Sequence, residues 1–345
     1  MRAITYGIIN FGILELLAIL VISANLLTFA LYIIDKRKAK KGSWRISENV
    51  LIFFTLAFGA IGAFIAMRLV RHKTKHKKFK IAAILGVLIA VIPIIHITHA
   101  LTLDRVIRFV EIEFQSENWP SELDGYRIAF MADMHIISHE SMRNVTDELN
   151  SRNIDLLLLG GDFYMHTDHY RGTLYEIAQT ITVDGIFGVE GNHDDYIQLF
   201  AAKETHAITP LDNSGLQIRE GFYLAGVHDL WNRSPSVETA IRGSNVDDFV
   251  LLISHNPDVV MTQPMAGVDL VLSGHTHGGH ITFFGIPLYL LRGSITDYGM
   301  KFAHGFTHSP DGTPIYTSSG VGYHNLIPRI IARPEVVIFT MFNET

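Results

Sequence analysis

The spacing of apolar and polar positions divides the chain near residue 104. Residues 8–34 are almost unbroken apolar sequence, and 81–103 form a second such run. Each exceeds the roughly 20 residues that a helix needs to cross a bilayer. Between them, 49–67 is apolar but interrupted by Gly59 and Gly62. Beyond 104 the runs shorten. "VIRFVEIEF" (106–114) alternates and predicts a strand. "YRIAFMADMH" (126–135) and "IDLLLLGGDF" (154–163) predict buried strands ending in charged residues. Residues 140–153 and 171–181 carry helical spacing. "GIFGVEGNHDD" (185–195), "FVLLISHNPD" (249–258) and "VDLVLSGHTHGGH" (268–280) repeat the passage from strand to polar loop. Strands alternating with helices predict an α/β layout with parallel pairing.

Charge sharpens the division. The chain has 345 residues and net charge −6. Residues 1–104 hold 14 Lys+Arg against 4 Asp+Glu, and 105–345 hold 14 against 30. The expected organisation is therefore a membrane-anchor domain, 1–104, and a soluble domain, 105–345. So acidic a domain is a poor nucleic-acid binder, because phosphate neutralisation needs Lys and Arg, and no nucleic-acid partner is expected. The absence of cysteine excludes disulfides, thiolate metal sites and cysteine nucleophiles.

The first apolar run continues past the point where a signal peptide would be cleaved, so an uncleaved anchor is expected. Glu15 fits the membrane interface, since Leu16 to Ile34 alone is long enough to span. Two basic segments, "DKRKAKKGSWR" (35–45) and "RLVRHKTKHKKFK" (68–80), flank the middle run. The positive-inside rule places both on the cytoplasmic side, which one crossing cannot satisfy. Either 49–67 is re-entrant, turning at its glycines, or there are three spans. His72 and His76 read as part of a solvated basic face toward anionic lipid; His96 and His99 read as an interfacial polar turn.

Five strand ends in succession carry metal-type side chains: Asp133 with His135, Asp162, Asn192 with His193 and Asp194, His255, and His275 with His277. In open α/β sheets, ligands gather beyond the carboxyl ends of strands. Carboxylate and amide oxygens mixed with imidazoles suit manganese, iron, zinc or magnesium. Seven ligands, Asp133, His135, Asp162, Asn192, His255, His275 and His277, are too many for one open zinc site. They suit two ions sharing a carboxylate, which sit about 3.5–4 Å apart in phosphoryl-transfer centres.

The order D-x-H, G-D, G-N-H-D, lone His, G-H-x-H resembles the calcineurin-like metallophosphoesterases over about 105–345. The lead-in "SELDGYRIAFMADMH" and tail "LIPRIIARPEVVIF" resemble the membrane-associated bacterial branch, which includes enzymes similar to UDP-2,3-diacylglucosamine pyrophosphatases. Residues 25–90 resemble a small bacterial membrane-domain family of unknown function. The first resemblance implies a four-layer αββα sandwich, here preceded by two to three transmembrane helical segments. It implies that Asp133, His135, Asp162 and His277 hold one divalent ion and Asp162, Asn192, His255 and His275 a second, with manganese the expected metal. It also implies that His193 contacts phosphate and donates a proton, that Asp194 orients that imidazole, and that hydroxide on the ions attacks.

Other residues match no motif position. His280 is open between a surface imidazole and a substrate contact, and Arg329 between a structural ion pair and a substrate contact. Gly320 and Gly322 could form a phosphate-facing turn. His166 and His169 lie close enough after Asp162 to line the site. His139, His206, His228, His304, His308 and His324 read as surface or loop residues.

The expected function is a membrane-anchored binuclear-metal phosphodiesterase or pyrophosphatase acting on an amphiphilic or small phosphoester, with lipid-linked and nucleotide substrates as the candidates. A phosphomonoesterase fits less well, since few basic residues are available for a dianion. The non-enzymatic alternative is a catalytically silent membrane scaffold or metal-dependent binding module on the same fold. A transporter would rest on two or three spans. The expected location is the inner, cytoplasmic membrane, multi-pass, with the catalytic domain outside the cytoplasm.

Overall fold

The computed structural model describes residues 2–102, 106–135, 137–163, 170–194, 208–279, 282–283, 286–287, 296–322, 329 and 332–344. His166, His169, His206, His280 and His324 lie outside them, as do the side chains of Glu15, His96 and His99. The chain forms two compact units, Met1–Thr98 and His99–Thr345.

In the second unit, strands β1 (Arg108–Ser116), β2 (Tyr126–Met131), β3 (Leu156–Leu159), β4 (Ile186–Gly188) and β5 (Ile208–Pro210) belong to one six-stranded sheet. Then come β6 (Ser214–Arg219), β7 (Phe222–Gly226), β8 (Phe249–Ile253) and β9 (Leu270–Ser273), the short pair β10 (Thr282–Phe283) and β11 (Ile286–Pro287), and β12 (Gly305–His308), β13 (Pro314–Thr317) and β14 (Glu335–Asn343). The first sheet runs β1-β14-β2-β3-β4-β5 and the second β12-β13-β9-β8-β7-β6.

Alternate residues of a strand face opposite ways, and that rule builds the layers. Ile128, Phe130, Leu156 and Leu158 of the first sheet cluster with Leu224, Leu251, Leu270 and Leu272 of the second. Their neighbours Ala129, Met131, Leu157 and Leu159 pack on helices α5 (His139–Ser151) and α6 (Tyr170–Ile177). Ala225, Val250, Leu252 and Val271 pack on α7 (Val237–Ala240) and α8 (Val259–Thr262). The result is helix, sheet, sheet, helix. Strands buried on both faces need no polar alternation, which is why 156–159 reads Leu-Leu-Leu-Leu. Helix α5 starts where the Ser138 hydroxyl accepts the Ser141 amide at 3.0 Å, and it buries Met142, Val145 and Leu149 at helical spacing.

The expected parallel pairing holds for β2-β3-β4-β5 and β7-β8-β9. It fails at the margins: β14 is antiparallel to β2, β12 to β13 and β6 to β7. The reason is chain order. The last strand slots between β1 and β2, pairing parallel to the one and antiparallel to the other.

In the first unit, α1 (Arg2–Lys40) is followed by α2 (Glu48–Phe54), α3 (Ala60–Leu69) and α4 (Lys77–Thr102). Ala18–Lys40 and Glu48–Leu69 are long and apolar enough to cross a membrane by length and composition. The second does not run straight. Ala57 (ψ 59°) and Phe58 (φ 64°) leave the helical region, and the chain reverses there. Glu48, at the start of the segment, forms ion pairs with Lys73 and Lys78, beyond its end. Buried Asp35 accepts from Ile46 N–H at 3.0 Å, Arg45 at 3.2 Å and His72 at 2.6 Å. Both basic loops therefore meet at one end of α1. His72 is not solvated as its basic neighbourhood suggests; it is buried against Asp35. Helix α2 descends only about 10 Å at 1.5 Å per residue, too little for a core of about 30 Å.

The break exposes backbone groups, and α1 satisfies them. Asn25 donates to Phe58 O at 2.7 Å and accepts from Gly62 N–H at 2.8 Å. Thr28 donates to Phe54 O at 3.2 Å, and the Tyr32 and Thr55 hydroxyls lie 2.9 Å apart. Gly62 is required by contact: a Cβ there would stand 2.0 Å from Asn25 O.

The reversal is directly testable, because the chain has no cysteine. With Glu48→Cys and Lys73→Cys together, a short bifunctional maleimide should join the two positions within one chain. A straight helix over 48–69 would be about 33 Å long and would hold them beyond reach, so failure to cross-link excludes the hairpin.

Candidate metal centre

The parallel strands of both sheets deliver their carboxyl ends to one place. β2 leads to Asp133 and His135, β3 to Asp162, β4 to Asn192, β8 to His255, and β9 to His275 and His277. Asp133, His135, Asp162, His255, His275 and His277 are all buried. Five of the ten described non-glycine residues with positive φ lie here: Asp133 (51°), His135 (33°), Asp162 (56°), His275 (72°) and His277 (51°). Each such conformation costs about 1–3 kcal/mol. Strain repeated at the ends of β2, β3 and β9 means that the surrounding fold fixes where these side chains point.

The donor atoms fall into two groups. One ligand atom each from Asp133, His135, Asp162 and His277 lie within 4.8 Å of one another. Within that group His135 Nε2 lies 3.0 Å from His277 Nε2 and 3.3 Å from Asp162 Oδ2, and His277 Nε2 lies 3.5 Å from Asp133 Oδ1. In the other, Asn192 Oδ1 lies 2.8 Å from His275 Nδ1 and 3.1 Å from His255 Nε2, and those two nitrogens are 3.2 Å apart. Asp162 Oδ2 is also 3.3 Å from His255 Nε2, so this one oxygen touches both groups.

These separations fit a metal. Ligands about 2.0–2.2 Å from a shared ion, at right or tetrahedral angles, stand roughly 3.0–3.5 Å apart. The donor set of carboxylate, amide and imidazole suits hard-to-borderline divalent ions.

Electrostatics point the same way. Burial pushes Asp133 up to about 7, against the pull of His255, with the Asp162 charge adding to the rise. Burial would also raise Asp162, but His255, His135 and His193 hold it well below the usual carboxylate range. Burial opposes the charge on His255, yet the Asp162 and Asp133 carboxylates raise it well above the ordinary imidazole value. The pocket draws in positive charge, whether protons or cations.

Supporting contacts lock the ligands. His275 N–H donates to both Asp133 oxygens at 3.0 Å, tying the two sheets together. His255 Nδ1 lies 2.7 Å from Gly160 O, which directs Nε2 inward. His193 donates its backbone N–H to Asp162 Oδ1 at 2.8 Å, while its exposed ring stands edge-on to His135 with centroids 5.3 Å apart.

Asp194 sits differently from the expectation that it orients the His193 ring. Its carboxylate accepts backbone N–H groups from Asp162 (2.7 Å), Phe163 (2.8 Å) and Gly191 (2.8 Å). Both oxygens are thus engaged in clamping the loop after β3 to the loop after β4. Gly320 and Gly322 likewise face no open phosphate site. Gly322 N–H donates to Asp133 O at 2.8 Å, and a Cβ there would meet Met134 O at 1.7 Å. They buttress the Asp133 loop from behind. Arg329 is fully buried, donates to Gly322 O at 2.8 Å and to Ser319 O, and lies 3.3 Å from His277 Nδ1. Its contacts brace His277 rather than open to substrate.

The loop after β7 was not legible as part of the site. Trp231, half exposed, stands edge-on to His275 with centroids 4.5 Å apart, and Asn232 Nδ2 donates to Asn192 O at 2.7 Å. The available signal was "FYLAGVHD", a further apolar run ending in His-Asp. His228 of that run is no loose surface residue; it pairs with Asp212 at 2.6 Å and Glu190 at 3.3 Å.

Comparison with known proteins agrees with this geometry. Residues 126–279 match the family described as calcineurin-like phosphoesterase, and 25–79 match a protein family of unknown function (DUF1294). An uncharacterized metallophosphoesterase of Helicobacter pylori is 29% identical over 224 residues, 61% of this chain and 58% of that protein. The metallophosphoesterase YkuE of Bacillus subtilis, also uncharacterized, is 28% identical over 259 residues, 69% of this chain and 86% of that one. A Danio rerio protein named as a transmembrane protein with metallophosphoesterase domain is 24% identical over 315 residues, 83% of this chain and 69% of that one. The chain thus spans less than two thirds of the Helicobacter pylori relatives. These matches support a calcineurin-like phosphoesterase domain over residues 126–279, the segment that builds the site.

The clamp gives a prediction. Asp194→Ala leaves three buried or half-buried amides without an acceptor, each worth about 1–3 kcal/mol. It should lower the thermal unfolding temperature of the second unit clearly, whereas His193→Ala should leave it nearly unchanged. Equal stability of the two variants contradicts the clamp.

Proposed function

We propose that the protein is a membrane-anchored, two-metal phosphoesterase that hydrolyses a phosphodiester or pyrophosphate bond, residues 105–345 carrying the chemistry and 1–104 the anchor. The observation that carries this is the pair of donor groups meeting at Asp162 Oδ2. Asp133, His135, Asp162 and His277 would hold one ion, and Asp162, Asn192, His255 and His275 the other. When bound, two divalent ions polarise the phosphoryl oxygens and acidify water at neutral pH. Manganese is the metal we expect. The rest of the reaction falls to the chain's own side chains. His193 has its backbone fixed to Asp162 and its ring exposed at the mouth, so it can protonate the leaving oxygen, a contribution of about 10²–10⁴-fold. Trp231 shields His275 from one side and narrows the approach.

An anchor favours a substrate presented at the bilayer surface, such as a lipid-linked nucleotide sugar or a glycerophospholipid; the transmembrane naming of the Danio rerio relative is in keeping with an anchor. With both basic loops cytoplasmic and the 48–69 hairpin entering only part-way, α1 and α4 are the two crossings. The catalytic unit then follows α4 on the extracytoplasmic side of the cell membrane.

The full chain should bind close to two divalent ions and lose hydrolysis of bis-(p-nitrophenyl) phosphate in chelator. His275→Ala should lower occupancy toward one ion. Full activity of metal-free protein would falsify the mechanism. His193→Ala should keep both ions yet cut turnover by roughly 10²-fold with a poor leaving group, and much less with p-nitrophenolate. An equal loss with both leaving groups assigns His193 to binding alone.

A further inference from the structure

A groove between α3 and α4 in the first unit has no part in this chemistry. Its volume is about 650 Å³, within the range of about 300–1,000 Å³ typical of small-molecule sites. Met67 and Ala83, both buried, form its floor, and Phe64, Ile84 and Val87 form its walls. At one end the lining turns polar, with Arg68, Thr74 and Lys80. That end is where α3 finishes and α4 begins, on the side of the two basic loops.

The polar end carries uncompensated charge. Three cations of this unit are paired, Arg45 with Asp35, and Lys73 and Lys78 with Glu48, and none of the three lines the groove. Arg68 and Lys80 form no ion pair with any described residue. The Arg68 guanidinium lies over the Phe64 ring, 4.8 Å from its centroid, which holds it at the rim of the groove. An apolar channel capped by two cations that pair with no described acid, one of them a guanidinium that can grip phosphate oxygens in pairs, complements an anionic amphiphile.

We infer that this groove binds an anionic phospholipid, with its phosphate between Arg68 and Lys80 and an acyl chain between α3 and α4. Basic pockets of this kind on the cytoplasmic side select acidic headgroups. The inference rests on residues 1–104 lying in a membrane and is independent of the metal centre. The lipid held here faces the basic-loop side, away from the side proposed for the catalytic unit, so it is a bound partner and not the substrate.

The test uses the full chain carrying Trp44→Phe and Phe64→Trp, reconstituted in phosphatidylcholine vesicles. A tryptophan at 64 keeps the stacking on Arg68 and reports on the groove. Fluorescence quenching by dibrominated phosphatidylglycerol is compared with quenching by dibrominated phosphatidylcholine. Each cation near the surface is worth roughly fivefold, so the acidic lipid should be preferred on the order of tenfold. Arg68→Gln with Lys80→Gln should bring the ratio near one, and Arg68→Lys with Lys80→Arg should keep it. Equal quenching by both lipids, a preference that survives the glutamine pair, or one removed by excess inorganic phosphate overturns the assignment.

Discussion

Two carboxylates, Asp133 and Asp162, are buried beside each other at the ends of adjacent parallel strands, and the second unit is organised around that charge. At the 4.8 Å scale of their cluster, two like charges repel by about 3 kcal/mol at an effective dielectric near 20. Buried Arg329 and the His275 N–H relieve Asp133 in part, and further relief comes from cations or protonated imidazoles at the same spot. Five histidines surround the pair for that purpose, and their placement explains much else. Parallel neighbours are needed because only they end on the same side. Two sheets are needed because one set of strand ends would supply too few donors. The left-handed backbone at five ligand positions turns each side chain back toward the charge instead of outward along the strand.

Strain of that kind persists only where the surroundings hold it. Asp194 binds the loop of Asp162 to the loop of Asn192, His275 N–H binds Asp133 across the sheets, and Arg329 braces the rear of His277. In each case the bracing group, a carboxylate on amides, a backbone N–H or a guanidinium, is distinct from the donor atoms of the cluster. They convert a flexible set of loops into a cluster with donor spacings near 3 Å, which is the spacing that a shared ion imposes.

The ligand residues were legible in the sequence because chemistry and secondary structure coincide there: an apolar run stops, and an Asp or His follows within a few positions. The supports were not, because their roles depend on pairs remote in sequence. Asp194 follows His193 directly and invites a pairing with it, yet two of the three amides its oxygens accept lie more than 30 residues away. Gly320 and Gly322 look like a phosphate loop in "SSGVGYHN", but their small size serves the close passage of the Asp133 loop. The strand core was legible from its apolar runs, while the antiparallel insertion of β14 was not, since no local window shows which neighbour a final strand will take.

The first unit meets the same physical problem among apolar helices. A helix that breaks there leaves amides and carbonyls that apolar side chains cannot satisfy, so such a break is tolerated only where polar groups of the protein cover it. Asn25, Thr28 and Tyr32 recur along α1 at helical spacing and face the turn, and Asn25 alone serves both a carbonyl and an amide across it. The glycines that suggested a turn do not make it. The left-handed residue is Phe58, and Gly59 and Gly62 instead let the hairpin lie against α1, where a Cβ at Gly59 would stand 1.9 Å from the Thr28 hydroxyl. Close approach and polar satisfaction are therefore one requirement. Without the glycines, Asn25 and Thr28 could not reach the broken turn, and without those side chains the turn could not be held away from water. The basic loops follow from the same geometry: a hairpin that turns back part-way must return its charged ends to the side from which they came, where Asp35 and Glu48 gather them.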